Sequence, residues 1–266
     1  MTHCRQKTNP PARAALSMNN ALPASCCLIS AQALPPACRA ALAGAVPVLP
    51  EQFLFFPQAD RGTWLGRLGQ QIVYLQLVGD APLQLHCLHQ QDILCLCCTK
   101  KLLIEDCCIY YRTGGAVQSL TLPLSQMRRE LVTLLLLALL QPQGQMTATV
   151  ALMPVAAGEF QELCSYAPAA TAFGQHTGSW NLWRIEEKGF PFRKKGRGSA
   201  ALYYKLERGS IVVARRNTQI VTWYLPSDRC CLLSCLEHGT MTLRIHTGQQ
   251  VLGEVPGLKA ESMVSA

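Results

Sequence analysis

The residues with the clearest capacity for chemistry are the cysteines, of which this chain holds 14 in 266 residues. Cys95-x-x-Cys98 is followed closely by Cys107 and Cys108, and four thiolates can hold zinc tetrahedrally. His86-x-x-His89 flanks Cys87 and offers a second set of nitrogen and sulfur donors. A cysteine paired with a histidine could also act as a thiol nucleophile. All three chemistries need side chains that converge. These cysteines instead lie inside alternating apolar runs, without the glycine-rich knuckles of a zinc ribbon. On a strand, positions i and i+3 point to opposite faces. The reading is therefore of packing thiols and a strand-end histidine pair, with no catalytic residue, no metal and no cofactor. The adjacent pairs Cys26–Cys27, Cys97–Cys98, Cys107–Cys108 and Cys230–Cys231 sit beside Leu, Ile and Val. That placement fits small buried hydrophobes in a reducing compartment.

Other reactive motifs are thin. The chain has no G-x-S-x-G nucleophile turn and no GxxxxGK[ST] phosphate loop. Gly196-Arg-Gly-Ser199 is glycine-rich and basic but lacks the strand–loop–helix setting that aims backbone N–H groups at a phosphate. Arg184, Lys188, Arg193, Lys194, Lys195 and Arg197 form the only dense basic cluster, with Trp180, Trp183, Phe190 and Phe192 interleaved. Such a mixture suits stacking on single-stranded nucleic acid. It equally describes a solvated loop whose aromatics belong to a core, and that second description is the expectation, with no nucleic acid bound.

The totals set the frame in which these residues must be held. Hydrophobic residues make up 49% and charged residues 15%, with a net charge of +8. Charge this sparse favours a protein that covers apolar surface with partners. No unbroken apolar core follows the N-terminal basic residues Arg5 and Lys7, so no signal peptide is read. The longest apolar run, 131–140, falls short of the ~20 residues that span a bilayer. A soluble, cytoplasmic protein is expected.

The elements follow from periodicity. Residues 1–50 are rich in Ala, Pro and Leu and predict short helices, with Pro35 and Pro36 breaking the piece at 31–42. Residues 51–155 predict a β-rich domain: strands at 71–78, 82–88, 92–98, 102–111 and 117–124 form an antiparallel meander, with a turn at Thr113-Gly114-Gly115. Ser125 can cap a leucine-rich helix over 125–140, buried on nearly all sides. Residues 147–154 predict one further strand. Residues 156–178 predict a linker and 179–248 a second β domain, followed by a tail over 249–266. Within that second domain, Ile211 and Val213, Ile220 and Tyr224, Cys231, Leu233 and Cys235, and Met241, Leu243 and Ile245 recur with period two. The fold class is α+β, mainly β.

The second domain carries a resemblance. Leu206-x-x-Gly209-x-Ile211-Val212-Val213, then Gln219-Ile220-x-x-x-Tyr224, then Leu232 through Glu237-x-Gly239-x-Met241-x-Leu243, resembles the surface-presentation-of-antigens domain. That domain belongs to the cytoplasmic-ring (sorting-platform) proteins of type III secretion systems, which are related to the flagellar motor switch proteins. Ser210 stands where the family usually has Asp. The match covers roughly Trp180 to Thr247. The family usually carries a second such domain, which here would come from another polypeptide.

The resemblance implies a non-enzymatic structural component of the secretion ring at the cytoplasmic face of the inner membrane. Its partners would be an adaptor, the stator of the export ATPase, a second domain of the same type and chaperone–cargo complexes, in an oligomer peripheral to the membrane. The implied interface is Leu206, Gly209, Ile211, Val213, Ile220, Tyr224, Leu233, Glu237, Gly239, Met241 and Leu243. It implies that Gly209 turns the chain, and that Ile211, Val213, Ile220, Leu233 and Met241 share one apolar face. An alternative comes from residues 52–140, whose strands followed by one helix resemble the order of a pleckstrin-homology-like fold. That reading makes the chain a lipid- or peptide-binding module, with the basic 184–197 loop as its contact with anionic lipid.

Overall fold

The computed structural model describes residues 26–58, 61–78, 84–124, 129–140, 173, 181–184, 199–259 and 264–265. The protein is mainly β, with antiparallel sheets and two α-helices among those residues. The strands are β1 (Cys27–Ser30), β2 (Gln52–Gln58), β3 (Arg61–Leu68), β4 (Gln71–Val78), β5 (Gln84–His89), β6 (Ile93–Lys101), β7 (Ile104–Thr113) and β8 (Ala116–Pro123). After α2 (Arg129–Leu140) come β9 (Asn181–Arg184), β10 (Ala200–Leu206), β11 (Gly209–Arg216), β12 (Gln219–Pro226), β13 (Cys231–Glu237), β14 (Thr240–Thr247), β15 (Gln250–Lys259) and β16 (Val264–Ser265). Helix α1 (Pro36–Ala45) lies between β1 and β2.

The strands form three sheets. The first has five strands in chain order β1-β2-β3-β4-β5. The second has eight, ordered β16-β9-β10-β11-β12-β6-β7-β8, and the third has three, β13-β14-β15. A four-strand meander followed by a three-strand meander thus occurs twice, as β2–β5 with β6–β8 and as β9–β12 with β13–β15. The expected linker at 156–178 does not separate one sheet from another. β12 pairs with β6 in register from Gln219↔Lys101 to Tyr224↔Leu96, so the central sheet spans the expected domain boundary. The expected single meander is also divided: the chain leaves the first sheet at β5 and enters the second at β6 through a 3-10 turn at Gln90–Asp92. Residues 250–259 form β15, where a tail was expected. The expected strand at 147–154 lies outside the described residues, as do Ser125 and all of the linker but Phe173.

Three cores hold the layers together. Helix α1 packs on the outer face of the first sheet, where Cys38 and Leu42 meet Phe53, Phe55, Trp64, Val73 and Leu75. Pro36 is its first residue, where a missing N–H costs nothing. Burial pushes the Cys38 thiol up to about 11. The inner face of the first sheet (Phe56, Ile72, Tyr74) meets one face of the central sheet (Leu96, Ile109, Tyr204, Val213, Tyr224) around α2. The other face of the central sheet (Leu94, Val212, Trp223, Leu225) meets the third sheet through Leu243, Ile245, Val255 and Leu258.

Helix α2 buries Val132, Leu135, Leu136, Leu139 and Leu140, a stripe at helical spacing, while Leu137 and Ala138 are half-buried. Its last carbonyls are met by side chains. Arg67 donates from Nη1 to the Ala138 carbonyl at 2.6 Å, and Gln90 Nε2 donates to Ala138 and Leu139 at 3.3 and 3.2 Å. A cation at a helix C-terminus also opposes the negative end of its dipole.

Candidate functional site

The thiols do not converge. β6 contains a bulge between Ile93 and Cys95, which turns both Leu94 and Cys95 toward the third sheet. Beyond it the alternation resumes, so Cys97 faces the third sheet and Cys98 faces the first. Cys107 lies opposite Cys98 and Cys108 opposite Cys97. The zinc candidates are therefore split between two cores on opposite faces of one sheet. Among the described residues, no group of three or more His, Cys, Asp and Glu side chains comes together to hold a metal ion. A hydrogen bond with the free thiol of Cys230 and burial raise the pKa of Cys95, and burial raises that of Cys97. Protonated thiols of this kind pack as hydrophobes and are poor nucleophiles.

His86 and His89 both belong to β5, where they pair with Tyr74 and Gln71 respectively. The Tyr111 hydroxyl lies 3.3 Å from His86 Nδ1, and the ring stands edge-on between Tyr74 and Tyr111 at 5.9 and 6.4 Å. Burial holds the His86 imidazole below its ordinary value. The basic loop at 185–198 lies outside the described residues. Trp183, one of its flanking aromatics, is buried in the second core against Tyr203.

The residues of the implied interface separate into two groups. Leu206, Ile211, Val213 and Tyr224 are buried inside this chain, with Ile220 packed partly against them. Leu243 is buried in the core beneath the third sheet, with Met241 at its margin. Their apolar surface is taken up by intramolecular packing. The expected common face is therefore corrected: Ile211, Val213 and Ile220 share one, but Met241 belongs to the other core and Leu233 is exposed. Gly209 begins β11 and is buried; a Cβ there would lie 2.7 Å from the Leu225 carbonyl and from the Phe173 ring. Close packing, rather than a turn with positive φ, accounts for the glycine.

Leu233, Glu237 and Gly239 do reach the surface, on β13 and the turn after it. β13 ends the third sheet, and its exposed apolar side chains are Leu233 at 48% and Leu236 at 70%. Leu232 and Ser234 stand opposite Ile245 and Leu243, so the even positions of β13 lie on the core side of the sheet, but only Leu232 is partly covered there, while Ser234 and Leu236 stay exposed. Period two placed the odd positions inside; CLLSCLE carries apolar residues in both phases and does not distinguish them. The turn at His238 and Gly239 has φ of 50° and 78° at the two positions, the geometry that keeps a tight hairpin twisted correctly. On the outer face, Arg244 donates to Glu237 at 3.2 Å and to Glu254 at 2.8 Å. Sequence reasoning did not single out Leu236, Arg244 or Glu254, because only the register places them at this edge.

No family model, curated protein or solved structure matches this chain. The candidate site that stands out from the geometry is the open edge at β13: a seven-residue strand with an unpaired side among the described residues, two exposed leucines, and an ion-paired outer face.

Proposed function

We propose that the protein is a non-enzymatic assembly component that binds a partner polypeptide by strand addition to β13. The observation that carries the reading is the open, leucine-bearing edge of the third sheet. A strand edge offers a row of backbone N–H and C=O groups, and an added strand supplies affinity while exposed side chains supply selectivity. On the resemblance to the surface-presentation-of-antigens domain, the partner is a protein of a type III secretion cytoplasmic ring: an adaptor, the ATPase stator, a second domain of that type or a chaperone–cargo complex. The site of action is then the cytoplasmic face of the inner membrane. The test is titration calorimetry of the full chain against purified ring-apparatus domains. Leu233→Lys with Leu236→Lys should weaken binding at least about tenfold, since lysines at an edge oppose strand pairing. Equal binding by the double variant, or no binding of any such domain by the unaltered chain, would remove the reading.

A second reading is favoured by the order of elements. A four-strand meander (β2–β5), a three-strand meander (β6–β8) and then α2 follow the order of a pleckstrin-homology-like module, which takes lipid or peptide.

A further inference from the structure

The turn between β6 and β7 differs in composition from the other tight turns joining described strands. Those hold Gly69–Gln70, Gly114–Gly115, Glu207–Arg208, Asn217–Thr218, His238–Gly239 and Gly248–Gln249. Between Lys101 and Ile104 the turn is Leu102–Leu103. Leu102 sits at φ 55°, a conformation that glycine and asparagine adopt at little cost and a leucine does not. The turn gains nothing from burial: Leu102 is 69%, Leu103 90% and Ile104 63% exposed. A position that is conformationally costly and also puts apolar surface into water is a marker of function.

The charges beside this tip point to its surroundings. Lys100 and Lys101, both exposed, lead directly into it. In the register of the central sheet, Lys101 lies opposite Gln219, and Gln219 lies opposite the exposed Arg216. Half-buried carboxylates stand on β7, Glu105 opposite Lys100 and Asp106 opposite Thr99, so Lys101 and Arg216 are the cations with no carboxylate opposite them in the register. The result is a narrow convex tip of three aliphatic side chains with cations at its base. A convex tip has no groove-like complement of its own, but a bilayer opens around it. Aliphatic side chains then enter the acyl boundary while lysine stems extend to the phosphate layer. Anionic headgroups complement the lysines.

We propose that the β6–β7 turn is a membrane-inserting tip. Leu102, Leu103 and Ile104 enter the apolar layer of an anionic bilayer, and Lys100 and Lys101 contact its headgroups. The proposal rests on the lipid arm of the second reading and adds an inserting element to the basic 184–197 loop which that reading names. The probe is co-sedimentation of the full chain with phosphatidylserine–phosphatidylcholine vesicles and with pure phosphatidylcholine vesicles. The informative variant is Leu102→Gly with Leu103→Asn, because the positive φ falls at the first of the two central residues, where such a turn favours glycine, and the change should leave the urea midpoint unchanged or higher. Its vesicle partition should fall at least about tenfold, since the apolar area entering the membrane is removed. Lys100→Glu with Lys101→Glu should abolish the preference for phosphatidylserine. If the unaltered chain sediments with neither vesicle, the lipid arm and the tip fall together. If it binds and the Gly-Asn variant binds equally, the tip falls and the lipid arm stands. Loss of self-association in sedimentation velocity, with vesicle binding unchanged, would make the turn a contact between copies and overturn the proposal.

Discussion

The central sheet and the third sheet are both built from strands with period-two apolar patterns, yet they end in opposite conditions. β11 is buried at every position from Gly209 to Arg215, because the first sheet with α2 covers one face and the third sheet covers the other. β13 is exposed or half-buried throughout, because among the described residues it has one neighbour strand and its core side is only partly covered. Alternation therefore identifies a strand without saying how many of its faces are covered. The contrast also separates residues whose loss should unfold the chain from residues whose loss should touch only a partner.

The largest effect should come from the doubly covered sheet. Val213→Asp places an unpaired carboxylate in the core between the first and central sheets and should destabilise the chain by about 4 kcal/mol or more. That is a large share of the ~5–15 kcal/mol typical of a folded protein. Urea unfolding followed by circular dichroism measures it, and an unchanged midpoint would break the comparison. A charge at Leu233 on β13, by contrast, should change the stability by no more than about 0.5 kcal/mol.

Gly209→Ala should fall in the middle. Its Cβ would press on the backbone carbonyl of Leu225 and on the Phe173 ring, and overpacking of this kind costs about 1–3 kcal/mol. Gly239→Ala sharpens the contrast: a Cβ there meets open space, so only its positive φ resists the change. Gly209→Ala should be the more destabilising of the two in parallel urea titrations.

The smallest effect should be the acid response of His86. Burial lowers its folded pKa below the ordinary 6.5, so the unfolded chain binds the proton first as the pH falls. Its contribution is therefore present above about pH 6.5 and is lost as the pH drops through the window between the unfolded and folded values. Unfolding midpoints taken from pH 7.5 to 5 should decline, and His86→Gln should flatten that decline. An identical slope in the variant would show that the Tyr74–His86–Tyr111 cluster makes no such contribution.

The mainly β character and most strands from Gln71 onward were legible, because alternating Val, Ile, Tyr and Leu leave few other arrangements. Gly114 and Gly115 marked their turn correctly. The turn at Leu102–Leu103 was misplaced rather than missed: the break was read at 99–101, because Thr-Lys-Lys looks like a turn and Leu102-Leu103-Ile104 looks like the start of a strand. The bulge at Leu94 was hidden for a similar reason: every residue around it is apolar. β15 was read as a tail because Gly253, Pro256 and Gly257 look like breakers. Yet a Cβ at residue 253 would lie 2.4 Å from the Trp223 ring, so that glycine serves close packing of the third sheet on the central one. The candidate edge was half legible. Glu237 and Gly239 marked a hairpin, but the phase of β13 depends on its register with β14.

The seam between β12 and β6 bears on how the protein is made. Arg229, just past β12, donates to the carbonyls of Gln90 and Ile93, and the latter contact joins positions 136 apart. A ribosome releases β6 long before β12 exists, so the emerging chain carries a bare strand flank of Leu, Cys and Thr through much of its synthesis. Contacts so distant along the chain slow folding, because a long loop must close before they form. Nascent intermediates with that flank uncovered are the species that a cellular chaperone would need to shield.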